Sequence, residues 1–106
     1  MYKVGIEIEV KPAQGQTRST ILAHLNSVGI PIQWDGYTHD VMNRWKAVSD
    51  SSLNGNVGIP VRGFEIVSKP MSGVAEIESE VSKMTAALKG IARVDTVSYT
   101  HLRAHE

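Results

Sequence analysis

The stretch Val4-Gly5-Ile6-Glu7-Ile8-Glu9-Val10 decides the fold of this 106-residue chain. Successive side chains of a β-strand point to opposite faces, so the alternation predicts a strand with one apolar face. Glu7 and Glu9 share the other face, with Cα atoms about 6.6 Å apart. Two carboxylates at this spacing can share a metal ion or flank a pair of ions, and they repel each other unless a cation or solvent offsets their charge. The alternative interpretation is a half-exposed strand with a wet outer face.

The composition fits one domain and argues against several classes of protein. Acidic and basic residues balance at 11 each, so no basic surface for nucleic acid and no acidic tail is expected. The absence of cysteine excludes thiolate metal sites, thiol catalysis and disulfides within these residues. No stretch resembles a signal peptide or approaches the roughly 20 apolar residues of a membrane span. We therefore expect a cytoplasmic protein that binds neither nucleic acid nor membrane.

Hydrophobic periodicity predicts the element order β-α-β-β-β-α-β. A first helix should run from about Arg18 to Val28, capped by Thr17 or Ser19, and a second should follow a Ser72 cap and end at Gly90. The apolar stripes of the two helices are Ile21, Leu22, Leu25 and Val28, and Val74, Ile77, Val81, Met84 and Leu88. The strands should cover residues 3–10, 32–34, 45–48, 63–68 and 91–96, with a loop at 54–60.

Strands joined by loops favour antiparallel neighbours. The pattern therefore predicts an α+β fold, with a mainly antiparallel sheet and two helices packed on one face. The glutamates should lie on the opposite face.

The last ten residues, Val97-Ser98-Tyr99-Thr100-His101-Leu102-Arg103-Ala104-His105-Glu106, resemble a translated sequencing adaptor. On a helix, His101 and His105 would present two imidazoles to one metal ion, and residues 98–100 also have the composition of a strand. Because the segment resembles an adaptor, we set aside both the metal site at the two histidines and the strand at 98–100. The natural domain is therefore expected at residues 1–96, with a non-native tail at 97–106.

Four segments now stand in order: Gly5-Ile6-Glu7-Ile8-Glu9-Val10, Tyr37-Thr38-His39, Trp45-Lys46-Ala47-Val48-Ser49-Asp50-Ser51-Ser52-Leu53 and Gly63-Phe64-Glu65-Ile66-Val67-Ser68-Lys69-Pro70-Met71-Ser72-Gly73. Together they resemble the amidoligase family, which comprises carboxylate–amine ligases similar to glutamine synthetase and γ-glutamylcysteine synthetase. Lys69 stands where the family often has a proline. The family also continues into a Cys-Gly-x-His-Val-His-type strand that this chain lacks, so it resembles the first part of a glutamine synthetase-like catalytic domain. We expect that part to be inactive alone.

The resemblance implies an ATP- and Mg²⁺-dependent ligase. Such enzymes activate a small-molecule or peptide carboxylate as an acyl phosphate, which ammonia or an amine attacks to form an amide. By resemblance, Glu7, Glu9 and Glu65 are catalytic residues and Mg²⁺ ligands. Hard cations prefer oxygen ligands, and two of them can clamp the attacking and leaving oxygens.

Other residues take roles by the same resemblance, each with a simpler alternative. Asp50 assists metal or amine binding, or caps the turn that follows it. Lys46 and Arg62 bind phosphate or the substrate carboxylate, or are solvent-facing charges. Trp45 could form the floor of a substrate pocket, but a position in the core is favoured. His39 could contact the substrate, but an exposed position in a loop is favoured.

Two further hypotheses compete with the ligase. A small non-enzymatic α+β binding module would use its acidic face to recruit a cation or a basic partner, and its gene would stop near codon 96. A metal-dependent hydrolase would need histidine or aspartate ligands that residues 1–96 scarcely offer.

Overall fold

The computed structural model describes residues 2–36, 44–49 and 63–103, and in these ranges the predicted element order is confirmed. The elements are β1 (Tyr2–Pro12), α1 (Arg18–Ser27), β2 (Ile32–Trp34), β3 (Trp45–Val48), β4 (Phe64–Val67), α2 (Val74–Leu88) and β5 (Ala92–Arg103). The predicted loop at 54–60 lies outside the described residues, as do His39, Asp50 and Arg62.

The strands form one mixed sheet in the order β2-β3-β4-β1-β5. Strand β1 is antiparallel to both β4 and β5, and β3 is antiparallel to β4. Strand β2 is parallel to β3, a pairing that the sequence argument did not predict. The fold is therefore α+β, with mainly antiparallel pairing.

The apolar residues of β1 and β4 meet on one face of the sheet. Ile8 pairs with Ile66, and Val10 pairs with Phe64. These four side chains and Ile6 are buried in a single core. The helices contribute the buried residues Ile21, Leu25, Met84 and Leu88 to the same core. Both helices therefore cover this face, which we call the helix face.

Helix α1 begins and ends with local signals that the sequence shows. The Thr17 hydroxyl accepts a hydrogen bond from the Thr20 N–H (3.2 Å), and the Thr20 hydroxyl accepts one from the Thr17 N–H (2.9 Å). This reciprocal cap satisfies two N–H groups that have no partner within the helix. Gly29 follows with a φ of 86°, which terminates the helix. Val28 is exposed, so its assignment to the apolar stripe was wrong.

Helix α2 begins one residue later than the sequence indicates. Its N-cap is Gly73, with a φ of 93° and no capping side chain, so the predicted Ser72 cap is wrong. The Ser72 N–H instead donates to the Glu76 carboxylate at 3.3 Å, which also lies favourably near the positive end of the helix dipole. Val74 is exposed, and the packed stripe begins with the partly buried Ile77.

Strand β5 is longer than predicted. It continues past Thr96 to Arg103 and pairs with β1 from Pro12↔Ala92 to Tyr2↔Arg103. The predicted strand end at Thr96 is therefore wrong. The adaptor-like origin of residues 97–106 stays a prediction.

A β-bulge interrupts the β1–β5 ladder. Glu9 pairs with Thr96, but Val10 pairs with Val94, so Asp95 is an extra residue on β5. An extra residue reverses the alternation of side chains beyond it. Val94 therefore packs against the core although an uninterrupted strand would turn it to the opposite face.

Candidate functional site

The three glutamates to which the resemblance gives ligand roles lie on the face opposite the helices, which we call the polar face. Glu9 and Glu65 are direct partners across β1 and β4, and Glu7 lies two residues before Glu9 on β1. Side chains in direct cross-strand positions have Cβ atoms about 4.5–5.5 Å apart. All three glutamates are partly buried. The predicted placement on adjacent strands and one face is confirmed.

Two cross-strand rows organise the polar face. The first row, from β2 to β5, is Gln33, Lys46, Val67, Glu7 and Ser98, and the second, from β3 to β5, is Val48, Glu65, Glu9 and Thr96. Lys46 therefore shares a row with Glu7 and is the diagonal neighbour of Glu65. Diagonal neighbours are about 7–8 Å apart, within reach of a lysine side chain.

Lys46 is buried, with only 5% of its surface exposed. The alternative that it is a solvent-facing charge is therefore wrong. Lysine is almost never fully buried unless its charge is paired. Lys46, Glu7 and Glu65 each have an interaction partner. The polar face thus combines a buried cation with carboxylates on the neighbouring strands.

Sequence reasoning missed an ion pair beside Lys46. The two terminal nitrogens of Arg44 donate to the two carboxylate oxygens of Asp35 at 3.0 and 3.1 Å. One of them also donates to the Trp45 carbonyl at 3.0 Å. The Asp35 side chain is 11% exposed. The Arg44 hydrogen bond holds the pKa of Asp35 below its ordinary value against the opposing effect of burial, with smaller help from Gln33 and Lys46.

The only signal for this pair in the sequence is an aspartate followed by a glycine at the end of a short strand. That pattern is also typical of a turn. Nothing local connects it with an arginine nine residues later. The pair forms because β2 and β3 are neighbours in the sheet.

Trp45 belongs to the core, as the sequence analysis favours. It is buried on the helix face, and its indole N–H donates to the Glu80 carboxylate of α2 at 3.2 Å. Burial raises the pKa of Glu80, but hydrogen bonds from Trp45 and Lys83 outweigh it, and the net effect lowers the pKa. Trp45 therefore joins β3 to α2 and does not reach the polar face.

Ser68 extends the pairing of β1 with the β4 segment. Its hydroxyl accepts a hydrogen bond from the Ile6 N–H at 2.8 Å and donates one to the Lys69 carbonyl at 2.8 Å. The Ser68 N–H donates to the Ile6 carbonyl, and two bonds between Val4 and Met71 continue the contact. The Ser68 hydroxyl thus gives the buried Ile6 N–H, next to Glu7, a partner just beyond the end of β4.

The described part of the polar face is not a complete metal centre. Within residues 2–36, 44–49 and 63–103, no three histidine or carboxylate side chains are grouped so as to hold a metal ion. Magnesium is usually bound by one or two carboxylates together with waters and substrate phosphates. The Glu9–Glu65 pair provides two carboxylates in adjacent positions, which fits that mode of binding.

Comparison of the chain with protein-family models, curated proteins and solved structures finds no match. Neither helix in the described ranges is long and apolar enough to cross a membrane.

Proposed function

We propose that this chain is the first part of a cytoplasmic ATP- and Mg²⁺-dependent carboxylate–amine ligase of the amidoligase family. The ordered motifs suggest this family. The observation that most supports the activity is the sheet register, which sets Glu9 opposite Glu65 on the same face as Glu7 and the buried Lys46. The substrates would be a small-molecule or peptide carboxylate and ammonia or an amine.

The facing carboxylates favour a divalent cation. Like charges directly opposite each other destabilise a strand pair, and neither Glu9 nor Glu65 is part of the apolar core. A cation between them would offset this repulsion. When bound, Mg²⁺ would neutralise charge on the phosphates of ATP. Glu9 and Glu65 would hold it, and Glu7 would extend the acidic surface along β1 into the row that contains Lys46.

Lys46 supplies the positive charge that phosphoryl transfer requires. The substrate carboxylate and the transferred phosphoryl group are both anionic, so catalysis depends on cations fixed close to them. A buried ammonium beside Asp35 and Glu65 is held in place before substrate binds. Lys46 therefore binds a phosphate or the substrate carboxylate in this proposal. Arg62 and Asp50 lie outside the described residues, and in this proposal they keep the roles that the resemblance implies.

The test is the substitution of single carboxylates in the protein that carries the proposed continuation of this chain. Glu7→Gln and Glu65→Gln should each reduce ADP release that depends on both carboxylate and amine by roughly 100-fold or more. Glu78→Gln is the matched control, because Glu78 is exposed on α2, and it should leave the rate unchanged.

A fold measurement separates catalysis from stability. Both variants should keep a cooperative thermal unfolding transition, because neither Glu7 nor Glu65 belongs to the apolar core. Full activity in both variants would refute the ligand assignment. The non-enzymatic module with an acidic binding face would then be the better account.

A further inference from the structure

Lys46 has an acidic residue beside it on each neighbouring segment of the sheet. Gln33 of β2 pairs with Lys46, so Asp35, two residues further along the chain, lies on the same face and diagonal to Lys46. Glu65 of β4 is the diagonal neighbour on the other side, because it pairs with Val48. The buried cation of the polar face therefore stands between one carboxylate from the β2 side and one from β4.

The Asp35 carboxylate is fixed through both its backbone and its side chain. The Asp35 N–H donates to the Ala47 carbonyl at 2.8 Å, which extends the pairing of β2 with β3 by one residue. Arg44 donates to both carboxylate oxygens, at 3.0 and 3.1 Å, and Gln33 Nε2 donates to one of them at 3.4 Å. A two-point arginine contact sets the orientation of a carboxylate as well as its position. The negative charge on this side of Lys46 is therefore held in one place.

The charges of Asp35 and Lys46 interact. The Arg44 hydrogen bond is the main cause that lowers the pKa of Asp35, and the positive charge of Lys46 adds to this effect. Because the attraction between two charges is mutual, the fixed carboxylate also attracts the Lys46 ammonium. A lysine side chain is long and flexible, so a fixed charge beside it restricts the positions that its ammonium group takes.

We propose that Asp35 is a positioning residue of the ligase site, where its carboxylate, anchored by Arg44, orients the Lys46 ammonium toward the anionic group that Lys46 binds. This inference rests on the proposed function, which gives Lys46 a phosphate or the substrate carboxylate as its ligand. Electrostatic catalysis depends on charges that are oriented before the reaction begins, and a small displacement of such a group lowers the rate strongly. Asp35 and Arg44 therefore act on the reaction through Lys46.

Nuclear magnetic resonance of the 106-residue chain, labelled with ¹⁵N-lysine, tests the contact without any need for ligase activity. Protons of a buried, paired ammonium group exchange slowly with water, whereas those of exposed lysines exchange too fast to be observed near neutral pH. Lys46 should give an observable ammonium signal, identified by its loss in Lys46→Arg. The signal should weaken severalfold in Asp35→Asn. It should persist in the control Asp95→Asn, whose carboxylate pairs with the more exposed Lys11.

A second variant keeps this test decisive if Asp35→Asn does not fold. Arg44→Lys retains the positive charge but loses the two-point contact, and it should also weaken the Lys46 signal. The backbone amide spectrum verifies the fold of each variant. An absent Lys46 signal in the wild type, or an undiminished signal in a folded variant at Asp35 or Arg44, would overturn the proposal.

Steady-state kinetics of the protein that carries the proposed continuation tests the consequence for catalysis. Asp35→Asn should lower kcat by about 10-fold and change KM less, whereas a merely structural role would reduce the folded fraction and leave kcat per folded molecule unchanged. Asp95→Asn should match the wild type. Full kcat in Asp35→Asn beside an active wild type would overturn the positioning role. A wild type that forms no amide would refute the proposed function and this role with it, and the lysine signals would still show whether Asp35 holds Lys46.

Discussion

The two faces of the sheet come from the same strands but are stabilised differently. The helix face packs Ile8 against Ile66 and is held by burial of apolar volume. The polar face sets Glu9 opposite Glu65 and depends on the balance of charges around a buried Lys46. A shift of one residue in the pairing would exchange the faces. The apolar core therefore fixes the positions of the carboxylates as well, although it lies on the opposite face of the sheet.

Strand β5 shows how apolar and polar side chains are kept on opposite faces along the whole pairing of β1 with β5. The bulge at Asp95 absorbs one residue, so Val94 still packs against the core while Thr96 stays beside Glu9 on the polar face. Without the extra residue, one end of the strand would present its side chains to the wrong face. A local irregularity thus preserves the difference between the faces.

The largest effect should come from volume removed on the helix face. Ile66→Ala is expected to lower the free energy of unfolding by about 2–5 kcal/mol, because it leaves a cavity in a fully buried core. Val67→Ala, one residue along β4 on the polar face, should cost only about 1 kcal/mol, because Val67 is half-buried. Urea unfolding of the two variants measures both values. Equal losses would contradict the contrast between the faces.

A smaller, pH-dependent effect is expected at the Asp35–Arg44 pair. Asp35→Asn should cost about 1–2 kcal/mol at pH 7, since it removes a two-point charged contact that is largely buried. Because folding lowers the pKa of Asp35 below its ordinary 3.8, the stabilisation is present above about pH 4 and is lost as the pH falls through the lowered pKa.

Urea unfolding of wild type and Asp35→Asn between pH 7 and pH 3 follows this effect. The difference between the two proteins should shrink below pH 4, where the wild-type carboxyl group also becomes neutral. A difference that stayed constant over the whole range would show that the charge of Asp35 is not the stabilising feature.

The smallest effect is expected at Asp95. Its carboxylate lies 2.7 Å from Arg93 Nε and 3.3 Å from Lys11 Nζ, and the Arg93 hydrogen bond is the main cause that lowers its pKa. Exposed pairs are screened by water and salt, so Asp95→Asn should be barely distinguishable from wild type in thermal unfolding. A loss as large as that of Asp35→Asn would mean that the carboxylate, and not the backbone, maintains the bulge.

Local patterns predicted much of this molecule. The alternation in β1 indicated the strand and placed Glu7 and Glu9 on one face, and Thr17 and Gly29 marked the ends of α1. Long-range features escaped prediction. The parallel β2–β3 pair, the bulge and the length of β5 depend on which strands become neighbours, and this is not encoded within any single segment.

The sequence by itself determined which residues share a face, because side-chain direction follows from backbone geometry within each element. Only the tertiary structure decided which faces meet. It set Glu9 against Glu65, buried Lys46 beside Asp35 and gave Arg44 its partner. These contacts depend on strand order and register, which arise when separate segments bury their apolar surfaces together.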